Sequence, residues 1–374
     1  MSHLPPTQLA VAISGKRQPL IEVSSPVFPP EVGEVVIRVH WAASTPIDLH
    51  RVDGGLLNDF YPCLSGSGGA SGTVAAVGPG GDLKGLEVGD RVTAFAFRRS
   101  EREANHQQYI TVPAFLVSRV PESITLHAAV TVNDSLVTVF HTVTADLGLD
   151  LPWPLPQGWE PPQANSPILI WGASSTVGIY ALQVLRHWGY RSLLAVSSAR
   201  HHHHLRSLGA AACFDYTQSD VVENILHHVA GRPVPQVPYI VDCIGSVENT
   251  LRPLTKIAQK GAIVAAMMPF IVRDATDDLE PEYEVDKTKI LPSSWAEGVE
   301  FQAVSTYTYL KNKLLKEKLQ SEIVPTLLAH GIVKPTRARI VEGASMTERA
   351  QNALSLLRNR AVSGERLVWK VYEE

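Results

Sequence analysis

Short apolar runs separated by glycine and proline dominate the first third of the chain. β-Branched residues recur within each run, and runs of this kind bounded by turn residues predict β-strands. The predicted strands are LAVAIS (9–14), EVVIRVHWAA (34–43), GTVAAVG (72–78) and DRVTAFAF (90–97). The segment that follows, 121–149, has an apolar spacing that predicts helices.

Strand-like and helix-like patterns alternate through the middle third. Such alternation predicts βα units, in which a parallel sheet is covered by helices on both faces. The fold class is therefore α/β with a doubly wound sheet. The predicted strands are 167–172, 191–198, 212–216, 239–245 and 261–267, and the helices between them are 179–189, about 201–208, 219–230 and 247–259.

A proline-rich segment separates these two parts of the chain. The stretch LPWPLPQGWEPPQANSP (151–167) is so rich in proline that it predicts a surface loop. Towards the end of the chain, the pattern predicts a charged helix at 307–329, an amphipathic helix at 347–360 and a last strand, RLVWKVY, at 366–372.

Composition narrows the class of protein. The chain has 374 residues, of which 45% are hydrophobic and 19% charged, and its net charge is −4. This balance predicts neither nucleic-acid nor anionic-membrane binding. No apolar run approaches the roughly 18 residues that span a bilayer, and the first residues lack the pattern of a signal peptide. Three scattered cysteines argue against a disulfide framework. We therefore expect a cytoplasmic protein.

The segment ILIWGASSTVGIYALQ carries the clearest chemistry. A buried strand ends at Gly172, small residues follow, and Gly178 is expected to open a helix. Glycines permit a tight turn and close helix–strand packing, while amide N–H groups at a helix start attract a pyrophosphate. Hydroxyl residues replace the usual central glycines and can donate to phosphate oxygens. The predicted dinucleotide-binding residues here are Gly172, Ser174, Ser175, Thr176, Val177 and Gly178.

The end of the next predicted strand bears on the choice between NAD and NADP. A site that prefers NAD places an acidic residue there, to accept a hydrogen bond from the ribose 2′-hydroxyl. This chain reads Ser197, Ser198, Ala199 and Arg200. Hydroxyls and a guanidinium suit an anionic 2′-phosphate, so NADPH is the predicted cofactor. The four histidines 201–204 are unsuited to hold a metal, because adjacent helical residues diverge, and are expected to add positive field.

Taken together, these motifs resemble the medium-chain dehydrogenase/reductase superfamily. The matching stretches include GSGGASGTVAAVGPGGDLKGLEVGDRV (66–92), GASSTVG and SGERLVWKV (363–371). The Pro-rich insert, FDY (214–216) and VDCIGSVENT (241–250) resemble fungal trans-acting enoyl reductases of polyketide and polyketide–peptide biosynthesis. The resemblance implies a GroES-like β-barrel catalytic domain at 1–137 and 309–374, and a Rossmann domain at 138–308.

Zinc-dependent members of that superfamily need cysteine and histidine ligands at set positions, and structural zinc needs four closely spaced cysteines. Neither pattern is present, and Cys63 has no partner at ligand spacing. We therefore expect no metal. Where relatives carry lysine in a Pro-(Ser/Thr)-Asp-x-Lys segment, this chain has His50.

The resemblance also implies roles for residues outside the two motifs. His50 and Thr138 are the candidate catalytic groups. His50 is either a proton donor near neutral pH or a polar residue that lines the cleft or pairs with Asp48. His141 has a core-facing position as its simpler interpretation, and Tyr216 is expected to stack near the cofactor. The further cofactor contacts implied are Ile47, Asp48, Leu49, His50 and Tyr216, and the substrate contacts are Ser135, Leu136, Thr138, Val139, His141, Thr142, Leu291, Ser293, Ser294 and Trp295.

The implied reaction is conjugate reduction. NADPH would deliver hydride to the β-carbon of an α,β-unsaturated thioester, tethered to the carrier protein of a polyketide or hybrid synthase, in a monomer or homodimer of this chain. Two alternatives stay open. One is a free-standing quinone or enone reductase, and the other is a binding protein or cyclase that has kept the fold without redox chemistry.

Overall fold

The structure is a computed structural model, and it describes residues 4–95 and 100–372. Its contacts divide the chain into two compact units. The first comprises Met1–Asp134, Ala275–Glu280 and Leu310–Glu374, and the second comprises Ser135–Asp274 and Pro281–Tyr309.

In the first unit, strands that are buried over most of their length surround an apolar core. The core includes Val35, Ile37, Val92, Ile110 and Trp369, all fully buried. Two sheets are formed, with orders β2-β1-β4 and β17-β18-β3-β5-β6-β8, and β7 pairs with β3. The strands are β1 (Thr7–Ile13), β2 (Leu20–Pro26), β3 (Glu34–Ser44), β4 (Cys63–Leu64), β5 (Ala70–Val77), β6 (Arg91–Ala94), β7 (Tyr109–Pro113), β8 (Val117–Arg119), β17 (Arg337–Ile340) and β18 (Glu365–Lys370).

In the first unit, α10 (Met346–Arg358) packs against β2 and β18. Ser345 caps α10, its hydroxyl accepting from the Glu348 N–H, as expected of a serine before an amphipathic helix. The helices are α1 (Pro46–Gly54), α2 (Leu126–Ala129), α8 (Lys313–Lys318), α9 (Val324–Ala329) and α10 (Met346–Arg358).

The second unit contains a parallel sheet in the order β11-β10-β9-β12-β13-β16. From the central β9 the chain adds strands on one side and then returns to add them on the other. Ligands of such sheets bind beyond the carboxyl ends of the strands at this reversal. The strands are β9 (Ile168–Trp171), β10 (Leu193–Ser197), β11 (Ala212–Asp215), β12 (Tyr239–Asp242), β13 (Ile263–Met267), β14 (Phe270–Arg273), β15 (Glu282–Glu284) and β16 (Glu300–Val304).

Helices separate the strands of this sheet, and β14 pairs with β15 in a small hairpin. The Pro-rich stretch 151–167 forms neither helix nor strand. It is anchored by Trp188, whose indole N–H donates to the Pro152 carbonyl at 3.0 Å. The helices are α3 (Asn133–His141), α4 (Thr176–His187), α5 (His202–Leu208), α6 (Val221–Val229) and α7 (Arg252–Thr255).

The predicted α/β fold class, with a curled β unit and a doubly wound parallel sheet, is confirmed. Some elements differ from their predictions. The helix predicted at 307–329 is broken, because Asn312 caps a new helix by accepting from the Leu315 N–H at 3.2 Å. The strand predicted at 90–97 ends at Ala94, and its residues 96–97 lie outside the described residues.

Candidate functional site

The turn after β9 is built on glycines that have no room for a side chain. Gly172 adopts a φ of 77°, and a Cβ there would lie 2.7 Å from Ile244. A Cβ on Gly178 would lie 2.5 Å from the Ala173 Cα, closer than real Cβ atoms come to backbone. The first turn of α4 therefore packs directly against the end of β9, as the motif predicts.

The helix begins earlier in the chain than predicted. It starts at Thr176, and Ser175 is its N-cap, with a hydroxyl that accepts from the Gly178 N–H at 3.1 Å. The prediction that Gly178 opens the helix was wrong by two residues, because a capping serine admits helical geometry immediately after it. The positive end of a 12-residue helix therefore lies beside the hydroxyls of Ser174, Ser175 and Thr176, an arrangement that fits a pyrophosphate.

Ser135, on α3, is hydrogen-bonded to the same turn. Its hydroxyl donates to the Thr176 hydroxyl oxygen at 3.0 Å, and Ser135 is buried. Ser135 is predicted as a substrate contact, and in the structure it holds the first helical residue of the nucleotide turn. Sequence reasoning gave no sign of this link, because 41 residues separate the two side chains.

The segment after β10 divides into an inward-facing and an outward-facing part. Ser197 is fully buried, and its hydroxyl donates to the Ser198 carbonyl at 3.2 Å. Ser198 is half-buried, whereas Ala199 and Arg200 are exposed. Of the predicted 2′-phosphate contacts, Ser198 and Arg200 therefore have accessible side chains, and the Ser197 side chain serves the end of the strand.

The first of the four histidines that follow is hydrogen-bonded to Arg200. Arg200 Nε donates to His201 Nε2 at 3.2 Å, so that nitrogen is an acceptor. Burial, together with the Arg200 charge, lowers the pKa of His201. These effects favour the neutral form of the His201 ring and act against the expected positive field. His202 instead contacts the Ser197 carbonyl at 3.3 Å.

Asp215, which the sequence reasoning passed over, organises this segment. Its carboxylate accepts from the Thr217 N–H at 3.0 Å and from the Thr217 hydroxyl at 2.8 Å. These bonds, with a further one from the Ala199 N–H, hold the pKa of Asp215 below its usual value. The signal was the Asp-x-Thr order, which is typical of a side-chain turn. The next residue, Tyr216, is 51% exposed.

The predicted substrate residues on α3 are largely inside the second unit. Leu136 and Val139 are buried in its interior, as is Thr142. The Thr138 and Thr306 hydroxyls lie 2.9 Å apart, and His141 Nε2 lies 3.3 Å from the Thr308 hydroxyl. The core-facing interpretation of His141 agrees with its 5% exposure.

The predicted substrate residues near 291 lie on a loop. Leu291 is half-buried with a φ of 47°, and Ser293 and Ser294 are exposed. The indole N–H of Trp295 donates to the Ile290 carbonyl at 3.0 Å, and its ring stacks on Phe301 with centroids 4.9 Å apart. Trp295 therefore fixes the conformation of this loop.

In the first unit, the predicted segment 47–50 forms part of α1. Asp48 Oδ2 accepts from the Thr45 N–H at 2.8 Å and caps the helix, so the Asp48 carboxylate is engaged with Thr45. Leu49 packs into the apolar core, and Ile47 is half-buried. Burial lowers the pKa of His50 to about 4, although the Asp53 charge acts in the opposite direction. With that pKa His50 is the neutral imidazole near pH 7, which argues against its role as a general acid there.

Metal ligands are not clustered in the part of the chain that the structure describes. There, no three histidine, cysteine or carboxylate side chains form a group able to hold an ion. Cys63 is buried, and Cys213 and Cys243 are half-buried.

No helix among the described residues has the length and apolar character needed to cross a bilayer.

Comparison with known proteins agrees with this architecture. Residues 31–122 match the family described as the alcohol dehydrogenase GroES-like domain. Among solved structures, the CurK enoyl reductase superposes with a TM-score of 0.72 at 15% identity, covering 97% of this chain and 99% of that one. Mycobacterial Rv1454c, solved with NADPH, gives a TM-score of 0.67 at 19% identity, covering 97% and 99%. The superpositions show that this chain shares the fold of these proteins, and residues 31–122 match the GroES-like domain family.

The sequence is similar to several fungal proteins. It is 32% identical to trans-enoyl reductase himH of Aspergillus japonicus over 58% of this chain and 60% of that protein. It is 26% identical to trans-enoyl reductase buaC of Petromyces alliaceus over 98% of both. An uncharacterized protein of Saccharomyces cerevisiae, YCR102C, is 28% identical over 64% of this chain and 66% of that protein. The chain resembles the fungal trans-enoyl reductases, as its motifs predicted.

Proposed function

We propose that this protein is an NADPH-dependent trans-acting enoyl reductase of fungal secondary metabolism. It reduces the double bond of an α,β-unsaturated polyketide thioester carried by a synthase. The observation that carries the cofactor assignment is the segment after β10. Ser198 and Arg200 are accessible there, residues 197–200 include no acidic side chain, and the nearby Asp215 carboxylate is already bonded to Thr217.

Residues of the second unit would hold the cofactor at its two phosphate groups. The positive end of α4, with Ser174 and Thr176, suits the pyrophosphate. The Arg200 guanidinium suits a 2′-phosphate, since its planar N–H groups match phosphate oxygens. When bound, NADPH supplies the hydride, and the protein contributes positioning and electrostatics.

The zinc-independent chemistry that we propose follows from the side chains available. Reduction of an enoyl thioester places hydride on the β-carbon and negative charge on the thioester oxygen, and a proton is then added at the α-carbon. Hydrogen-bond donors suffice to stabilise that oxygen. A neutral His50 ring can donate an N–H to it, but the α-carbon proton would come from another source, such as water.

Thr138 remains the second predicted catalytic residue. Its hydroxyl is 2.9 Å from that of Thr306. In our proposal the Thr138 hydroxyl contributes a hydrogen bond to the bound substrate. Replacement of Thr138 by valine would then lower kcat, whereas a purely structural role would lower only stability.

The test is NADPH oxidation with a pantetheine-linked enoyl thioester, compared with a free enone and a quinone. We expect rapid oxidation with the thioester, and deuterium from C4-deuterated NADPH at the β-carbon of the product. Equal or faster turnover of the free enone or quinone would favour the stand-alone reductase instead. NADPH that binds but is never oxidised would leave the non-redox cyclase or binding protein as the function.

A further inference from the structure

A cationic and aromatic pocket lies on the first unit, on residues for which neither motif nor comparison gives a role. Its volume is about 280 Å³, at the lower end of the range for small-molecule sites. Three of its residues carry, or can carry, positive charge, and none carries negative charge. The lining residues are Arg38, His40, Trp41, Lys370 and Tyr372.

The sheet brings these residues together. Arg38, His40 and Trp41 lie on β3, whose pairing with β5 shifts register between Val39 and Trp41. Lys370 ends β18 and pairs in register with Trp41. The Val371 N–H donates to the His40 carbonyl at 2.9 Å, which extends the pairing towards Tyr372. The pocket is therefore fixed by main-chain hydrogen bonds.

The Arg38 guanidinium is the central group. Its carbon lies 3.8 Å from the centre of the Tyr372 ring, so the ring faces the cation. Its Nε is buried and has no hydrogen-bond partner in the protein. A buried, unsatisfied N–H on a charged group is costly and calls for a bound water or ion. Stacking on Tyr372 fixes the plane of the guanidinium.

We propose that this pocket binds a small phosphate monoester, with its organic group against Trp41 and Tyr372. A phosphate monoester carries a charge of about −1.5 to −2 near pH 7. That charge matches Arg38 and Lys370 together, whereas a carboxylate would match only one of them. This inference does not rest on the proposed function, because the site belongs to the first unit alone and its test measures binding.

The experiment is calorimetric titration of the full chain with phenyl phosphate, benzoate and inorganic phosphate. We expect one saturable site for phenyl phosphate, with benzoate and inorganic phosphate at least about tenfold weaker. R38Q should weaken binding about tenfold or more, as expected for loss of a hydrogen bond to a charged group. K370Q should weaken it severalfold. The matched control is K313Q, which removes a lysine that is 86% exposed and should leave affinity within about twofold.

Several results would overturn the proposal. These are no saturable binding by the natural chain, equal affinity for benzoate, or unchanged affinity in both R38Q and K370Q. Equal affinity for inorganic phosphate would remove the monoester assignment. The sequence continues past Tyr372 with two glutamates, so a chain ending at Tyr372 is also titrated. Binding seen only in that shortened chain would mean that the protein's own carboxylates are the occupant. Thermal unfolding of each variant shows that it is folded.

Discussion

The Arg358 guanidinium holds the Asp53 carboxylate through two hydrogen bonds, from Nε at 2.7 Å and from an Nη at 2.8 Å. Asp53 is fully buried, and Arg358 is 16% exposed. The pair joins α10 to α1, the helix that carries His50. Because both ends are withdrawn from water, removal of one partner leaves an uncompensated buried charge.

We therefore expect R358Q to lower the free energy of unfolding by about 3–5 kcal/mol. Urea denaturation measures this loss. The matched comparison is K318Q, which breaks a pair whose side chains are 42% and 45% exposed and should cost less than about 1 kcal/mol. Equal losses in the two variants would show that the Asp53 pair contributes no more than a surface ion pair.

The packing at Gly178 gives a second prediction. A methyl group there meets the Ala173 backbone at 2.5 Å, so G178A forces the start of α4 away from β9. We expect a loss of about 1–3 kcal/mol of stability, as in overpacked cores, and weaker NADPH binding measured by fluorescence titration. G15A is the control, since its Cβ meets only the flexible Gln18 side chain. NADPH affinity that is unchanged in G178A would contradict the proposed pyrophosphate site.

Arg200 gives a test of cofactor choice. R200Q removes the accessible guanidinium, so we expect KM for NADPH to rise about tenfold, the effect of losing one charge-assisted hydrogen bond. KM for NADH should stay unchanged, because NADH has no 2′-phosphate. R206Q, which removes an exposed arginine of the neighbouring helix, serves as the control. An equal rise in KM for NADPH and for NADH would show that Arg200 does not act through the 2′-phosphate.

His50 gives a prediction on pH. Its pKa falls from 6.5 in the unfolded chain to about 4 in the folded protein. The unfolded state therefore binds the proton first as pH falls. The stability that His50 contributes is complete above about pH 6.5 and declines as pH falls towards 4. A drop of this size corresponds to about 3 kcal/mol.

Unfolding measured from pH 7.5 to 4 in the natural chain and in H50Q tests this. The natural chain should lose about 3 kcal/mol more than H50Q over that interval, since glutamine does not titrate. H330Q, at an exposed histidine, should show no such difference. A His50 ring that titrates near pH 6.5 by NMR would restore it as a general acid at neutral pH.

The local sequence pattern was sufficient to predict the strand, turn and helix at 168–187, but not the side-chain contacts of the residues around that turn. The apolar run to Trp171 and the glycines that follow are contiguous, so the strand–turn–helix order could be predicted. The Ser197 hydroxyl points inward because β10 ends there and the hydroxyl donates to the Ser198 carbonyl. The hydrogen bond between Ser135 and Thr176 exists only because the folded chain brings the two residues together. Neither leaves a periodic signal in the sequence.

The same limit explains the prediction for His50. The sequence gives the identity of a residue, and its ordinary pKa suggests a proton donor near neutral pH. Burial against the surrounding protein decides the actual value, and burial of a single helical residue between Leu49 and Arg51 follows no pattern of alternation. Asp48 shows the opposite case. Its carboxylate three residues after Thr45 is a capping-box order, which the sequence itself displays, and its contact with the cofactor stays a prediction.

The absence of space beside Gly178 has a consequence for redesign. A turn in which an added methyl group clashes with the backbone tolerates little variation. Any substitution at Gly178 that changed cofactor affinity would therefore also lower the stability of the fold. Ala199 and Arg200, by contrast, face solvent and can be exchanged without repacking the sheet. A change of coenzyme preference is therefore best attempted by mutagenesis of Ala199 and Arg200, with the glycines of the turn left unchanged.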